Sequence, residues 1–514
     1  MNVLFITADQ WRGECLGVLG HACVKTPNLD GLAAEGVVFR RHYTQASPCG
    51  PARASLLTGL YMFNHRSVRN GAPLDARHTN IAREVRKAGY DPVLFGYTDT
   101  TLDPRTLPAG DPRLSTYEGV LPGMTPVLVL PSDPKPWLRH LRGRGYPEPL
   151  SLETVYAPVE GYPGADGRGT SYPPPVFRAE DSETAFLADE ALGWLKMHED
   201  RAWFLHLSFL RPHEPWIAPE PYNAMYDLDA VPPDHRAATH DEEGAQHPFL
   251  AWLIGGTRME RFLPRGNGSP ANLSEVERRQ IRATYYGLVT EVDHHIGRLI
   301  DYLKASGQYD NTLVVFTSDH GEHLGDHYLY GKSGYFDEAF YVPLIVRDPS
   351  PEADTARGRA IDEFTEIVDV MPTILDRLGL EIPVECDGRS LMPFLRGERP
   401  ARWRQEVYWE LDFRDVRTFE FERLHGLKPD QCSLSVVRDR EYKYVHFTAM
   451  EPLFFDLRAD PHEFHNRARD PAQSGRVLEY AQRMLSWRMN HADRVLANMQ
   501  AGEGGIREWR GARS

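Results

Sequence analysis

Short apolar runs alternate with longer stretches of helical period along most of the chain. Asn2 to Ala8 is an apolar run of the kind a parallel strand buried on both faces gives. Thr79 to Gly89 reads as a helix closed by Gly89, with a strand through Val93-Leu94-Phe95 behind it. A helical pattern from about Glu180 to Met197 precedes a second apolar run, Ala202 to Leu210. Ser274 and Glu277 have capping-box spacing. The helix they open carries Ile281, Tyr285, Leu288, Val292, Ile296, Leu299 and Leu303 on one stripe. After Gly307 come strands at Thr312 to Phe316 and Val342 to Val346. The alternation predicts an α/β fold: a mostly parallel central sheet sandwiched by helices.

Two stretches interrupt it. Residues 101–178 are rich in Pro, Gly and Arg, as in Tyr172-Pro173-Pro174-Pro175, and residues 226–272 are polar and Gly/Pro-rich. Both are expected to be elaborated loops inserted in a catalytic domain spanning 1–384. From 385 to 514 the strand signals shorten (Glu406 to Trp409, Ser433 to Val437, Tyr442 to Phe447), which predicts a smaller α+β lobe. It ends in a helical pattern from Gly475 to about Met499, with Val477, Tyr480, Met484, Trp487, Met489 and Leu496 as its apolar face. Such a face either mediates assembly or folds back on its own lobe.

At 514 residues the chain exceeds the size of one core. A net charge of −15 argues against a nucleic-acid partner, which needs a basic face. A small anion remains admissible, since a metal and a few local cations reverse the sign inside one pocket. No signal peptide or membrane span is expected. Five cysteines without metal-finger spacing fit reduced thiols in the cytoplasm.

Candidate chemistry sits at strand ends, where open parallel sheets bind ligands. Asp9-Gln10 follows the first strand, and Asp319-His320-Gly321 follows the strand at 312. An acid on its own there is usually a turn residue. Two such ends, one with an imidazole, predict a site for one divalent metal, with Mn²⁺ ahead of Ca²⁺, Zn²⁺ and Fe²⁺. Cys49 precedes a predicted helix with Pro51 at its first position, so its sulfur lies where an anion is favoured. It reads either as a low-pKa nucleophile or as a small buried turn residue.

Cys49-Gly50-Pro51-Ala52-Arg53, continued by Ala54-Ser55-Leu56-Leu57-Thr58-Gly59, resembles the formylglycine signature of the sulfatase branch of the alkaline phosphatase superfamily. Lys25 to Asp30, Thr317 to Glu322, Gly325-Asp326-His327 through Gly331-Lys332, and Phe455 to Glu463 resemble its other motifs in order. Asp9-Gln10, Asp319-His320 and Arg211-Pro212-His213 look like the phosphonate monoester hydrolases, where typical sulfatases carry paired Asp and Asp-Asn. Asp99 departs from that pattern, which has Thr.

The resemblance implies that a formylglycine-generating enzyme converts Cys49 and that Asp9, Gln10, Cys49, Asp319 and His320 hold the metal. Arg53 would steady the hydrated aldehyde, a gem-diol whose second hydroxyl lets the product leave. Lys332 and Asn70 would bind non-bridging oxygens, Tyr97 would line the pocket, and His213 would protonate the leaving group while touching the substrate. The implied reaction is hydrolysis of phosphonate monoesters and phosphodiesters, with promiscuity toward sulfate esters, by a homo-oligomer, often a tetramer. The competing readings are an arylsulfatase of the same fold and a non-catalytic anion-binding relative.

Overall fold

A computed structural model describes residues 1–508 as two compact units that interleave in sequence. Residues Met1–His42, Tyr90–Thr98 and Gly123–Asp362 form the first unit. The second consists of Tyr43–Gly89, Asp99–Pro122 and the described part of Glu363–Ser514. Packing therefore does not follow one linear cut at residue 384. The Cys49 segment joins the C-terminal part: Asp387 donates its N–H to the carbonyl of Gly59 (2.8 Å), and its carboxylate accepts the N–H of Tyr61 (2.9 Å).

The first unit is built on an eight-stranded sheet. Its strands are β1 (Asn2–Ala8), β2 (Val37–Phe39), β3 (Pro92–Gly96), β4 (Thr125–Val129), β5 (Phe204–Phe209), β6 (Thr312–Thr317), β7 (Leu344–Arg347) and β8 (Arg359–Ile361). Their order is β4-β3-β5-β1-β6-β7-β2-β8. Only β7 runs against its neighbours. β1 lies inside the sheet, pairs in parallel with β5 and β6, and is buried along its whole length. That burial is why it reads as a continuous apolar run: each such large side chain removed from water contributes about 1.5–3 kcal/mol.

The helix Glu275–Ala305 has the expected capping box at Ser274 and Glu277 and buries its stripe against the sheet core. The inserted stretches are more ordered than expected. Residues 125–129 form edge strand β4, and Lys135–Gly143 is a helix that buries Trp137. Pro126 inside β4 made it read as loop; an edge position tolerates a residue with no donor. Pro248–Gly256 is likewise a helix, with Phe249 and Leu250 buried.

The second unit has an antiparallel sheet, β9 (Val407–Asp412), β10 (Ser433–Arg438), β11 (Tyr442–Phe447) and β12 (Leu453–Asp456), in that order. The C-terminal helix spans Ser474–His491, stopping short of Met499. Its Tyr480, Met484 and Trp487 pack on Tyr408, Val437, Tyr442 and Phe454 of the same unit, with Trp487 stacked on Tyr408 at 4.3 Å. Of the two uses open to that face, Tyr480, Met484 and Trp487 take the internal one, because a half-covered sheet lies within their reach. Met489 and Leu496 stay exposed. Among the described residues no helix is long and apolar enough to cross a membrane.

Candidate active site

Register fixes the first part of the site. Thr7 of β1 lies beside Thr317 of β6 in a parallel pair, so the residues just past both strands emerge at the same edge. Ligand atoms of Asp9, Asp319 and His320 lie within 4.8 Å of one another, and all three residues are buried. His320 Nδ1 lies 3.0 Å from the carbonyl of Gly321, while Nε2 is 3.6 Å from Asp9 and 3.8 Å from Asp319. Donation from Nδ1 leaves Nε2 with its lone pair toward the carboxylates. Burial pulls the imidazole pKa down against both acids and keeps the ring neutral, as a metal ligand requires. Two buried carboxylates facing a neutral imidazole form a donor set that a divalent cation fits.

Tyr97 donates to Asp9 Oδ2 at 2.5 Å, so it holds a carboxylate of this group. Gln10, at φ +67, directs its amide to a second cluster. Its Oε1 accepts from Lys332 Nζ (2.6 Å), and its Nε2 donates to Glu214 (2.7 Å) and Glu322 (2.5 Å). Burial, reinforced by Glu214, pushes the Glu322 carboxyl up to about 8. Burial also acts on Glu214, but His213, Lys332 and Arg261 outweigh it and hold that carboxyl at about 2. His213 Nδ1 is 2.8 Å from the carbonyl of Glu214 and 3.4 Å from its carboxylate, which leaves Nε2 as the ring's outward nitrogen, a donor when both ring nitrogens carry a proton.

In the second unit the helix begins at Cys49, after Pro48 as N-cap, so Pro51 is the third helical residue and not the first. All ten residues of Cys49–Thr58 are buried, Arg53 among them one turn beyond the cysteine. Asn70 accepts the N–H of Gly50 at 2.8 Å, one of the orphan donors of that helix start. A Cβ on Gly50 would stand 3.0 Å from Asn70 Oδ1, so glycine keeps this approach open. Asp99 is buried in the same unit with φ +46, and burial together with Glu118, Asp99 and Cys49 pushes the Tyr117 phenol up.

Glu214 and Tyr117 carried no sequence signal of a role, and Glu322 only its place in the motif Thr317 to Glu322; the fold brings them to these groups. Asp293, His323 and His327 have structural partners. Asp293 accepts from the backbone N–H groups of Asn28 and Leu29. His323 Nε2 lies 3.0 Å from the carbonyl of Ser333, and His327 meets Glu243 at 2.8 Å. Among the described residues no other metal-competent group of His, Cys, Asp or Glu occurs.

A model of the sulfatase family matches residues 1–380, and one of the C-terminal region of N-sulphoglucosamine sulphohydrolase matches 325–490. The chain belongs to the sulfatase family. This family member is 46% identical over 512 residues, 98% of both chains, to the multifunctional alkaline phosphatase superfamily protein PehA of Trinickia caryophylli. Its structure is similar to the phosphonate monoester hydrolase of Agrobacterium radiobacter, with TM-score 0.95, 47% identity, and 99% and 100% of the two chains covered. The phosphonate monoester hydrolase of Silicibacter pomeroyi gives 0.92 at 43% identity, with 99% of each chain covered. The expected α/β fold with its antiparallel C-terminal sheet is thus that of sulfatase-family hydrolases.

Proposed function

We propose that this sulfatase-family hydrolase cleaves phosphonate monoesters and phosphodiesters, and sulfate esters secondarily, with Cys49 converted to formylglycine. The observation that carries the reading is the buried Asp9, Asp319 and His320 group in a chain so similar to phosphonate monoester hydrolases. Asp9, Gln10, Cys49, Asp319 and His320 are its proposed metal ligands; Gln10 would share its amide oxygen with Lys332. A divalent ion, for which we favour Mn²⁺, would supply Lewis acidity and make a hydroxyl nucleophile at neutral pH. Hydrated formylglycine offers one hydroxyl to attack and a second to release the product, which serine lacks.

The chain's own groups do the rest. Arg53 steadies the nucleophile through charge-assisted hydrogen bonds. Lys332 and Asn70 bind non-bridging oxygens, where charge grows in the transition state. Tyr97 orients Asp9 and lines the pocket. His213 gives its proton to the leaving oxygen as the ester bond breaks. Gln10 and His320, in place of Asp and Asn, favour the phosphonate reading over an arylsulfatase. We further propose maturation by a formylglycine-generating enzyme, homotetrameric assembly and a cytoplasmic location.

Turnover of an aryl phosphonate monoester, an aryl phosphodiester and the matching aryl sulfate tests the reading. The phosphonate is expected to have the highest kcat/KM, and preference for the sulfate overturns it. Peptide mass spectrometry is expected to find Cys49 as the aldehyde; thiol alone in fully active protein refutes the nucleophile.

A further inference from the structure

The turn that carries His213 and Glu214 is braced by Arg211 and by Trp216, whose Nε1 donates to the Pro212 carbonyl (3.2 Å). Arg211 is buried, and its Nη1 donates to the carbonyls of His213 (2.7 Å) and Pro215 (2.9 Å), on either side of Glu214. Its guanidinium lies 4.8 Å from the ring centroid of Tyr156, contributed by the stretch 101–178. Tyr156 in turn donates to Glu183 at 2.9 Å. A buried cation is costly unless paired and hydrogen-bonded. Arg211 meets that requirement in part: Nη1 has two carbonyls of one turn as acceptors, Tyr156 lies beside the guanidinium with Glu183 and Glu291 as nearby acids, and Nη2 is buried without a hydrogen-bond partner among the described residues. A single lysine ammonium lacks the planar fork and the stacking face.

We propose that Arg211 is a positioning residue: by fixing the two carbonyls around Glu214 it sets the direction of the His213 ring. The ring is tied to this turn through Nδ1, which lies 2.8 Å from the Glu214 carbonyl and 3.4 Å from the Glu214 carboxylate. Rotation of that peptide therefore moves the proton on Nε2 relative to the leaving oxygen, and misplacement by about 1 Å costs up to about 10²-fold. This also gives the stretch around Tyr156 a task, as the wall against which the arginine is stacked. The inference rests on the reading of His213 as general acid.

The test is a leaving-group series from p-nitrophenyl to alkyl esters. It compares the unsubstituted enzyme with Arg211→Met, Arg211→Lys, His213→Ala and the double variant Arg211→Met/His213→Ala. Both arginine variants are expected to lose about tenfold or more on alkyl esters and less than about threefold on p-nitrophenyl esters. In the His213→Ala background Arg211→Met is expected to add no further loss, because both act through one proton transfer. Equal losses along the series, or losses that multiply in the double variant, overturn the proposal. If His213→Ala is itself flat along the series, the acid assignment falls and the positioning role with it. If His213→Ala is steep while the arginine variants are flat, the positioning role alone falls. Near-UV circular dichroism checks folding, and Arg211→Lys carries the comparison if Arg211→Met does not fold.

Discussion

Lys332 and Gln10, 322 positions apart in sequence, meet in a 2.6 Å hydrogen bond from Nζ to Oε1. The bond holds a buried ammonium beside the end of β1 and gives it one direction. A lysine without such an acceptor would search several rotamers and present its charge less often where an anionic ester needs it.

Lys332→Ala is expected to lower kcat/KM for phosphonate esters by about 10²–10³-fold, the range for removing one electrostatic donor to a developing charge. Gln10→Ala removes the acceptor of Lys332 and the donor shared by Glu214 and Glu322. It is expected to lower both kcat/KM and the melting temperature, read by steady-state kinetics and calorimetry. Unchanged values in either variant would remove this pair from the site.

Asp319→Asn takes a charge from the metal-competent group and leaves its size unchanged. Metal content by elemental analysis and activity are expected to fall together, and excess Mn²⁺ is expected to restore part of both. Chelation of the unsubstituted enzyme is expected to lower its melting temperature, since an ion that binds only the folded state stabilises it by mass action. Full metal content in an inactive Asp319→Asn would contradict the ligand assignment.

Glu291 gives a pH dependence whose sign is fixed. Burial raises its carboxyl to about 7 in the folded state, against Ser182, which donates to it at 2.5 Å, and Arg211. The folded state therefore holds a proton that the unfolded chain releases earlier, so stability falls as pH rises from about 4.5 to about 7. At about 1.4 kcal/mol per unit, the full effect is on the order of 3 kcal/mol. Glu291→Gln mimics the protonated form and still accepts from Ser182. It is expected to raise the melting temperature at pH 8 and to change it little at pH 4.5. An equal shift at both pH values would refute the assignment.

Trp487 is the main anchor of the C-terminal helix, stacked on Tyr408 and edge-on to Phe63. Trp487→Ala is expected to cost about 3–5 kcal/mol, as for other large aromatic deletions, in denaturant melts followed by circular dichroism. A chain cut before Gly475 is expected to aggregate, because Tyr442 and Phe454 would lose their cover. A soluble truncated chain of unchanged stability would show the helix to be dispensable.

The sequence by itself determined the central strands, the long capped helix, the order of the motifs and the residue types of the site. β1, β6 and the helix Glu275–Ala305 are each specified by their own periodicity and caps, which act over a few residues. The pairing of Asp9 with Asp319 and His320 was legible because parallel strands deliver their ends to one edge. What the tertiary structure decided depends on partners far away in the chain. β4 is a strand only because β3 offers it an edge where Pro126 needs no donor. The C-terminal helix keeps its apolar face because β9 to β12 lie within reach of it. Glu214 and Glu322 come together through the amide of Gln10, 204 and 312 positions away in sequence. Neighbouring residues carry no imprint of such long-range contacts: Glu322 stood in a motif, but its partners could not be read from it.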